Sequence, residues 1–144
     1  MNRLVLDASV IIKWVFPGKQ GEQDSLRALE ILDAIRTGEA EVKQPPHWLA
    51  EVAAVLTRLD PSIARGAVEL LGLLNLPVAD DLGVMLQACD LSARLGHHLF
   101  DTLYHAVACS EPGRRLVTAD ERYYRKAQAE GSILMLRNFR LEPR

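Results

Sequence analysis

Cysteine is scarce in this chain. Cys89 and Cys109 are the only two among 144 residues, and both fall in apolar, helix-like segments. They read as small buried hydrophobes of a protein in a reducing cytoplasm, which leaves no disulfide framework and no thiolate metal site. Histidine does not supply a zinc set either. His97 and His98 are adjacent and project differently, and no Cys/His group has zinc spacing. No apolar run approaches the ~20 residues that a membrane helix needs. Lys13 follows too closely on the first apolar segment for a signal peptide. Neither GxxxxGK[ST] nor GxGxxG occurs, which argues against a nucleoside triphosphatase or a dinucleotide enzyme.

Strong net charge is also missing, at −2, so bulk charge does not announce a nucleic-acid binder. The distribution says more. Residues 113–144 hold eight Lys/Arg against four acids, +4, whereas residues 1–112 hold nine against fifteen, −6. The basic end can meet phosphates, or it is simply a solvated face.

What is present is a regular alternation. The length fits one domain over residues 1–144, and 49% hydrophobic with 25% charged residues is ordinary for a globular protein. Short apolar runs at 3–6 (RLVL), 41–46 (EVKQPP, ended by its prolines), 76–79 (LPVA), 115–118 (RLVT) and 133–136 (ILML) read as strands. Between them lie helical patterns at 8–16, 25–38, 47–59, 60–74, 81–96, 100–113 and 119–131. The polar stretch PGKQGEQD after the first helix reads as a loop. Asp60 with Pro61, and Asp80, read as helix starts, and Gly38 as a stop. Strands alternating with helices predict an α/β domain whose mostly parallel sheet is covered on both faces.

In such folds ligands sit beyond the carboxyl ends of strands. Asp7 ends the first strand, and Asp120 lies two residues past RLVT. Each acid also has a purely structural reading. Asp7 and Asp80 can cap helices, Thr118-Ala-Asp-Glu121 fits a capping box, and Asp101 suits a first helical turn. Glu51 is the only charge in WLAEVAAVLT, where a carboxylate among apolar groups costs several kcal/mol unless it is paired or metal-bound. An exposed stripe through His47, Glu51 and Arg58 is the alternative. His47 and His105 each stand one helical turn from an acid, where they either support it or are plain core or surface residues.

LDASVIIKW, Glu51, FDTLYHAVA at 100–108 and VTADERYYRKA at 117–127 together resemble the PIN-domain family, and most of all its VapC-type toxins from bacterial toxin–antitoxin pairs. The likeness covers nearly the whole chain. Two departures, Thr102 where many relatives have Ala and Tyr124 where Phe is frequent, remove no carboxylate. The resemblance implies a sheet of about five parallel strands and an acidic pocket of Asp7, Glu51, Asp101 and Asp120. That pocket would bind Mg²⁺ or Mn²⁺ and cut RNA, with Ser9 and Thr118 as supporting hydroxyls. It further implies a homodimer and a cognate antitoxin protein. Arg114, Arg115, Arg122 and Arg125, or some of them, are candidates to hold the RNA backbone. Two rivals stand beside this reading. One is a degenerate PIN-like binding module without catalysis. The other is a phosphoacceptor receiver domain, which would want paired acids after the first strand.

Overall fold

The computed structural model of the chain describes residues 1–17 and 22–143. Among these residues four strands, β1 (Asn2–Leu6), β2 (Ala40–Val42), β3 (Arg115–Thr118) and β4 (Ile133–Met135), form one parallel sheet in the order β2-β1-β3-β4. Leu4, Val5 and Leu6 of β1 are all buried, as are Leu116, Val117 and Thr118 of β3. Successive strand side chains point to opposite faces, so both faces are covered.

The segment LPVA contributes only a single parallel bridge, Gln44 to Val78, beside the four strands. Two backbone bonds hold it, Gln44 N to Pro77 O at 2.8 Å and Ala79 N to Gln44 O at 2.9 Å. Pro77 has no N–H to donate, and Pro45 and Pro46 end the neighbouring strand, so a ladder cannot extend.

Among the described residues seven α-helices flank the sheet: α1 (Ala8–Val15), α2 (Glu22–Thr37), α3 (Trp48–Leu59), α4 (Pro61–Gly72), α5 (Leu82–Leu95), α6 (Leu99–Cys109) and α7 (Glu121–Ala127). Half of the stretch expected as a loop, 18–21, lies outside the described residues, and Glu22 to Asp24 belong to α2 instead. Asp60 caps α4 by accepting Ser62 N, with Pro61 next, as the sequence implies. The start of α5 differs: Asp81, not Asp80, precedes it, and its side chain makes no capping bond. Gly96 ends α5 with φ +59°, the left-handed conformation that glycine adopts without penalty. Helix α6 lies on β1 and β3, and Thr102 to Ala108 are buried without a break.

Cysteine departs from expectation. Both cysteines are free, but Cys89 is exposed and Cys109 only half-buried. Val84, Ala88 and Leu91 form the inward stripe of α5, and Cys89, one residue past Ala88, faces away.

Gln44 positions the end of β1. Its buried amide donates to Leu6 O at 2.8 Å and accepts Leu6 N at 2.8 Å, so a side chain replaces a missing strand neighbour. Gln44→Leu strands both backbone groups and is expected to cost roughly 2–4 kcal/mol. A thermal melt reads this, and a change below about 0.5 kcal/mol would show that water replaces the amide.

Candidate metal centre

Asp7 follows directly on Leu6. Its N–H donates to Val117 O at 3.1 Å, which ties it to β3, and its carboxylate caps α1 by accepting Ser9 N at 3.2 Å. The same oxygen, Oδ2, also accepts the hydroxyls of Ser9 and, at 3.3 Å, Thr118. Each hydroxyl then accepts a backbone N–H from the loop after β3: Ala119 N to Ser9 Oγ at 3.0 Å, and Asp120 N to Thr118 Oγ1 at 3.0 Å. Ser9 and Thr118 therefore join the carboxyl ends of β1 and β3. Asp120 itself caps α7 by accepting Tyr123 N at 3.1 Å, a role that the capping-box reading gave to Thr118. Capping and lining are compatible here, because one oxygen of a carboxylate can serve the helix while the other faces the cleft.

Glu51, in the first turn of α3, and Asp101, in the first turn of α6, complete the set. All four acids line one cleft of about 860 Å³ at the carboxyl edge of the sheet. Asp7, Glu51 and Asp101 can each place an oxygen within 4.8 Å of the others, and His97, Asp101 and Asp120 form a second such group. Ile12, Phe16, Val55 and Leu59 line the remainder with apolar surface.

Burial leads the electrostatics here, and the crowding of charges adds to it. Burial pushes the Asp7 carboxyl from 3.8 up to about 6, against the Ser9 hydrogen bonds, with Asp101 and Glu51 adding repulsion. Asp101 is also raised, first by burial and then by Glu51 and Asp120, although His97 beside it acts the other way. The Tyr104 hydroxyl is buried with no hydrogen bond of good geometry. Burial, and then the charges of Glu51 and Asp7, hold back its ionisation.

This donor set fits a hard divalent cation. Mg²⁺ and Mn²⁺ take carboxylate oxygens, and the ion's charge would offset the burial cost that chiefly raises Asp7 together with the repulsion that Asp101 and Glu51 add. A Glu51 carboxylate that turned one oxygen to the ion could accept the orphaned Tyr104 hydroxyl on the other.

A family model for the PIN domain matches residues 4–129. The chain belongs to the PIN-domain family. PIN domains are generally metal-dependent nucleases that act on RNA, and the four acids expected of one stand together here. Membership replaces the receiver-domain reading. No curated protein matches the chain significantly. Among the described residues, no helix is long and apolar enough to cross a membrane.

The arginines divide. Arg114 is 1% exposed and binds Glu111 at 2.9 Å, Glu41 at 2.7 Å and Leu4 O at 3.1 Å. It sits at the amino edge of the sheet, opposite the PIN cleft, because β1 and β3 run parallel and Leu4 pairs with Arg115. There Lys43 and Arg114 hold the Glu111 carboxyl down at about 2. Arg115, half-buried and stacked over Phe139, lies at the same edge. Neither is brought to the acids. Arg122 and Arg125 are exposed on α7, the helix that Asp120 caps, and Arg125 pairs with Glu121 at 3.1 Å.

Among the histidines, His105 is a core residue. Its Nε2 donates to Gly131 O at 2.7 Å and its Nδ1 accepts the Tyr123 hydroxyl at 2.8 Å, and burial keeps its pKa low. His47 Nε2 donates to Phe100 O at 2.9 Å and lies 3.6 Å from Glu51. Lys13 and His97 were missed by sequence reasoning. Lys13 lines the cleft from the last turn of α1. His97 Nε2 lies 2.8 Å from Asp101 Oδ2. The i,i+4 spacing to Asp101 could have flagged His97, as it did His47 before Glu51.

Thr118→Val removes one bond to Asp7 and one to Asp120 while keeping shape. Loss of such supporting bonds costs about 10–100-fold in metal affinity or activity. Isothermal titration of Mn²⁺ into the variant is expected to show that loss, and unchanged affinity would make Thr118 a mere packing residue.

Proposed function

We propose that the chain, as one PIN domain over residues 1–144, is a cytoplasmic Mg²⁺- or Mn²⁺-dependent endoribonuclease, and that it acts as the VapC-like toxin of a toxin–antitoxin pair. The observation that carries this reading is the convergence of Asp7, Glu51, Asp101 and Asp120, from four separate elements, on one cleft. A bound divalent ion would polarise a phosphodiester and lower the pKa of a bound water. The protein's part is to hold Asp7 and Asp120 at fixed separation through Ser9 and Thr118, with Glu51 and Asp101 facing them. All four carboxylates are present, which argues against the non-catalytic binding module. Expression of the chain in a bacterial host tests the toxin role. Growth arrest is expected, relieved by Asp7→Asn and by co-expression of a short neighbouring gene whose product binds the chain. Undisturbed growth on expression of the folded chain, or a neighbour that neither binds nor relieves, contradicts it.

Two features support the partner proposals. Leu70 on α4, Leu73 just past its end, and Leu82 and Leu86 on α5 are exposed, an apolar excess beyond the needs of the core that suits a homodimer. An acidic cleft with apolar walls suits an antitoxin segment that inserts Arg or Lys among the carboxylates.

For RNA contact, position favours Lys13, Arg122 and Arg125 over Arg114 and Arg115. In an Asp120→Asn background, RNA affinity is expected to fall with salt by a log–log slope of roughly −0.7 per phosphate contact. Removing Lys13 and Arg122 together should flatten that slope by about 1.4. A slope unaltered by both changes places the RNA elsewhere.

A further inference from the structure

The PIN centre carries a nitrogen donor in a site otherwise made of carboxylates. His97 precedes α6 by two residues, its side chain is only 10% exposed, and its Nε2 points at Asp101 Oδ2 at 2.8 Å. With Asp120 these groups can place one ligand atom each within 4.8 Å of one another. An octahedral ion with bonds near 2.1 Å sets adjacent ligands about 3 Å apart, so the observed pair already has nearly the right span.

The surroundings fix this geometry. The Tyr123 ring meets the His97 ring edge-on with centroids 4.8 Å apart. Tyr123 N donates to Asp120 Oδ1 at 3.1 Å, so one residue orients both candidate ligands. Tyr123 is itself held through its hydroxyl to His105, and His105 to Gly131 O. A surface histidine that merely paired with Asp101 would not need this support.

We propose that His97 Nε2 is a metal ligand that completes, with Asp101 and Asp120, a mixed nitrogen–oxygen half of the site favouring a transition-series dication such as Mn²⁺ over Mg²⁺. The other half, Asp7, Glu51 and Asp101, is all oxygen and suits either ion. Imidazole is a ligand of transition-series dications; Mn²⁺ is well served by oxygen donors too, but it gives up a water for a nitrogen more readily than Mg²⁺, which dehydrates reluctantly. Coordination replaces the proton that Nε2 shares with Asp101, and that proton passes to Nδ1 or to solvent. This assignment rests on the metal-dependent nuclease reading and names the ion class its site prefers.

Pulsed electron paramagnetic resonance of Mn²⁺ added to the metal-free protein reads the nitrogen directly, without any activity measurement. ¹⁴N modulation is expected in wild type and in His47→Gln, the histidine nearest Glu51, and its loss in His97→Leu. By calorimetric titration, His97→Leu should lower Mn²⁺ affinity about 10–100-fold and Mg²⁺ affinity by much less. Mn²⁺ bound by wild type without ¹⁴N modulation overturns the proposal while leaving the nuclease reading intact. Modulation that persists in His97→Leu, or equal losses for the two ions, overturns it as well. No binding of either ion by wild type removes both readings. The wild-type spectrum is decisive even if His97→Leu fails to fold.

Discussion

Asp7→Asn and Asp120→Asn are each expected to reduce RNA cleavage by about a thousandfold while leaving the fold intact. Each change removes one negative charge but keeps the side chain's shape and its helix-capping oxygen. The amide oxygen of the new side chain can still accept Ser9 N at the first site and Tyr123 N at the second. What goes is the charge that holds a dication. A bound ion supplies several kcal/mol of transition-state charge stabilisation, and a factor of ten corresponds to about 1.36 kcal/mol. Single-turnover cleavage of a fixed RNA at saturating Mg²⁺ or Mn²⁺ measures the effect, with circular dichroism to confirm folding. Wild-type rates in both folded variants would falsify the assignment of these acids. A thousandfold loss at Asp120 with none at Asp7 would instead confine the ion to the half of the cleft around Asp101 and Asp120.

The second large effect is on stability, and its sign is opposite for the metal-free and metal-loaded protein. Folding moves the Asp7 carboxyl from 3.8 to about 6. Below about pH 4 it is protonated in both states and carries no penalty. Above about pH 6 it is ionised in both, and the folded state bears roughly 3 kcal/mol of destabilisation. The metal-free protein therefore loses stability from this group as pH rises from about 4 through about 6. Asp101, also raised, acts in the same direction. His105, held low by burial, acts oppositely, and Glu111 exerts its effect at lower pH, between 4.5 and about 2. Comparison with Asp7→Asn isolates the Asp7 contribution. In chelator the variant should melt above wild type at about pH 7, by up to about 3 kcal/mol in stability, and the gap should close near pH 4. Mg²⁺ at about a thousand times its Kd should reverse the order, since it then adds about 4.1 kcal/mol to the protein that binds it. A gap independent of pH would show that Asp7 does not bear this strain.

Much of the fold is legible in the sequence, and the reasons are local. Apolar runs bounded by Gly, Pro and Asp report their own secondary structure, so β1, β3 and most helix starts fall within a residue or two of expectation, whereas α2 begins three residues earlier than expected and α6 and α7 each end four residues sooner. The edges of the sheet are less legible. Whether LPVA forms a ladder depends on which N–H groups face its neighbour, and Pro77 withholds one. The acids stand out because the chain places them just past strands or in first turns, where backbone direction fixes their aim. Cap and cleft roles look like alternatives in sequence, yet Asp7 and Asp120 fill both.

Arg114 shows the limit from the other side. Its charge looks available in a basic segment, but Glu41, 73 residues away, and Glu111 bury it at the far edge. Only the parallel register of β1 and β3 reveals which end of a strand a flanking residue occupies. His97 escapes notice in sequence because its neighbour His98 draws attention to adjacency, when the informative partner lies four residues on.

One measurement decides whether the acidic PIN cleft cuts RNA with a divalent ion. Total cellular RNA serves as substrate, so no target sequence need be known. Purified protein is incubated with it in chelator, in Mg²⁺ and in Mn²⁺, and the fragments are sequenced at their ends. Discrete internal cuts are expected with either ion, none in chelator, and none from Asp7→Asn or Asp120→Asn under any condition. RNA left intact with every ion, or cut equally in chelator, would overturn the metal-dependent nuclease reading.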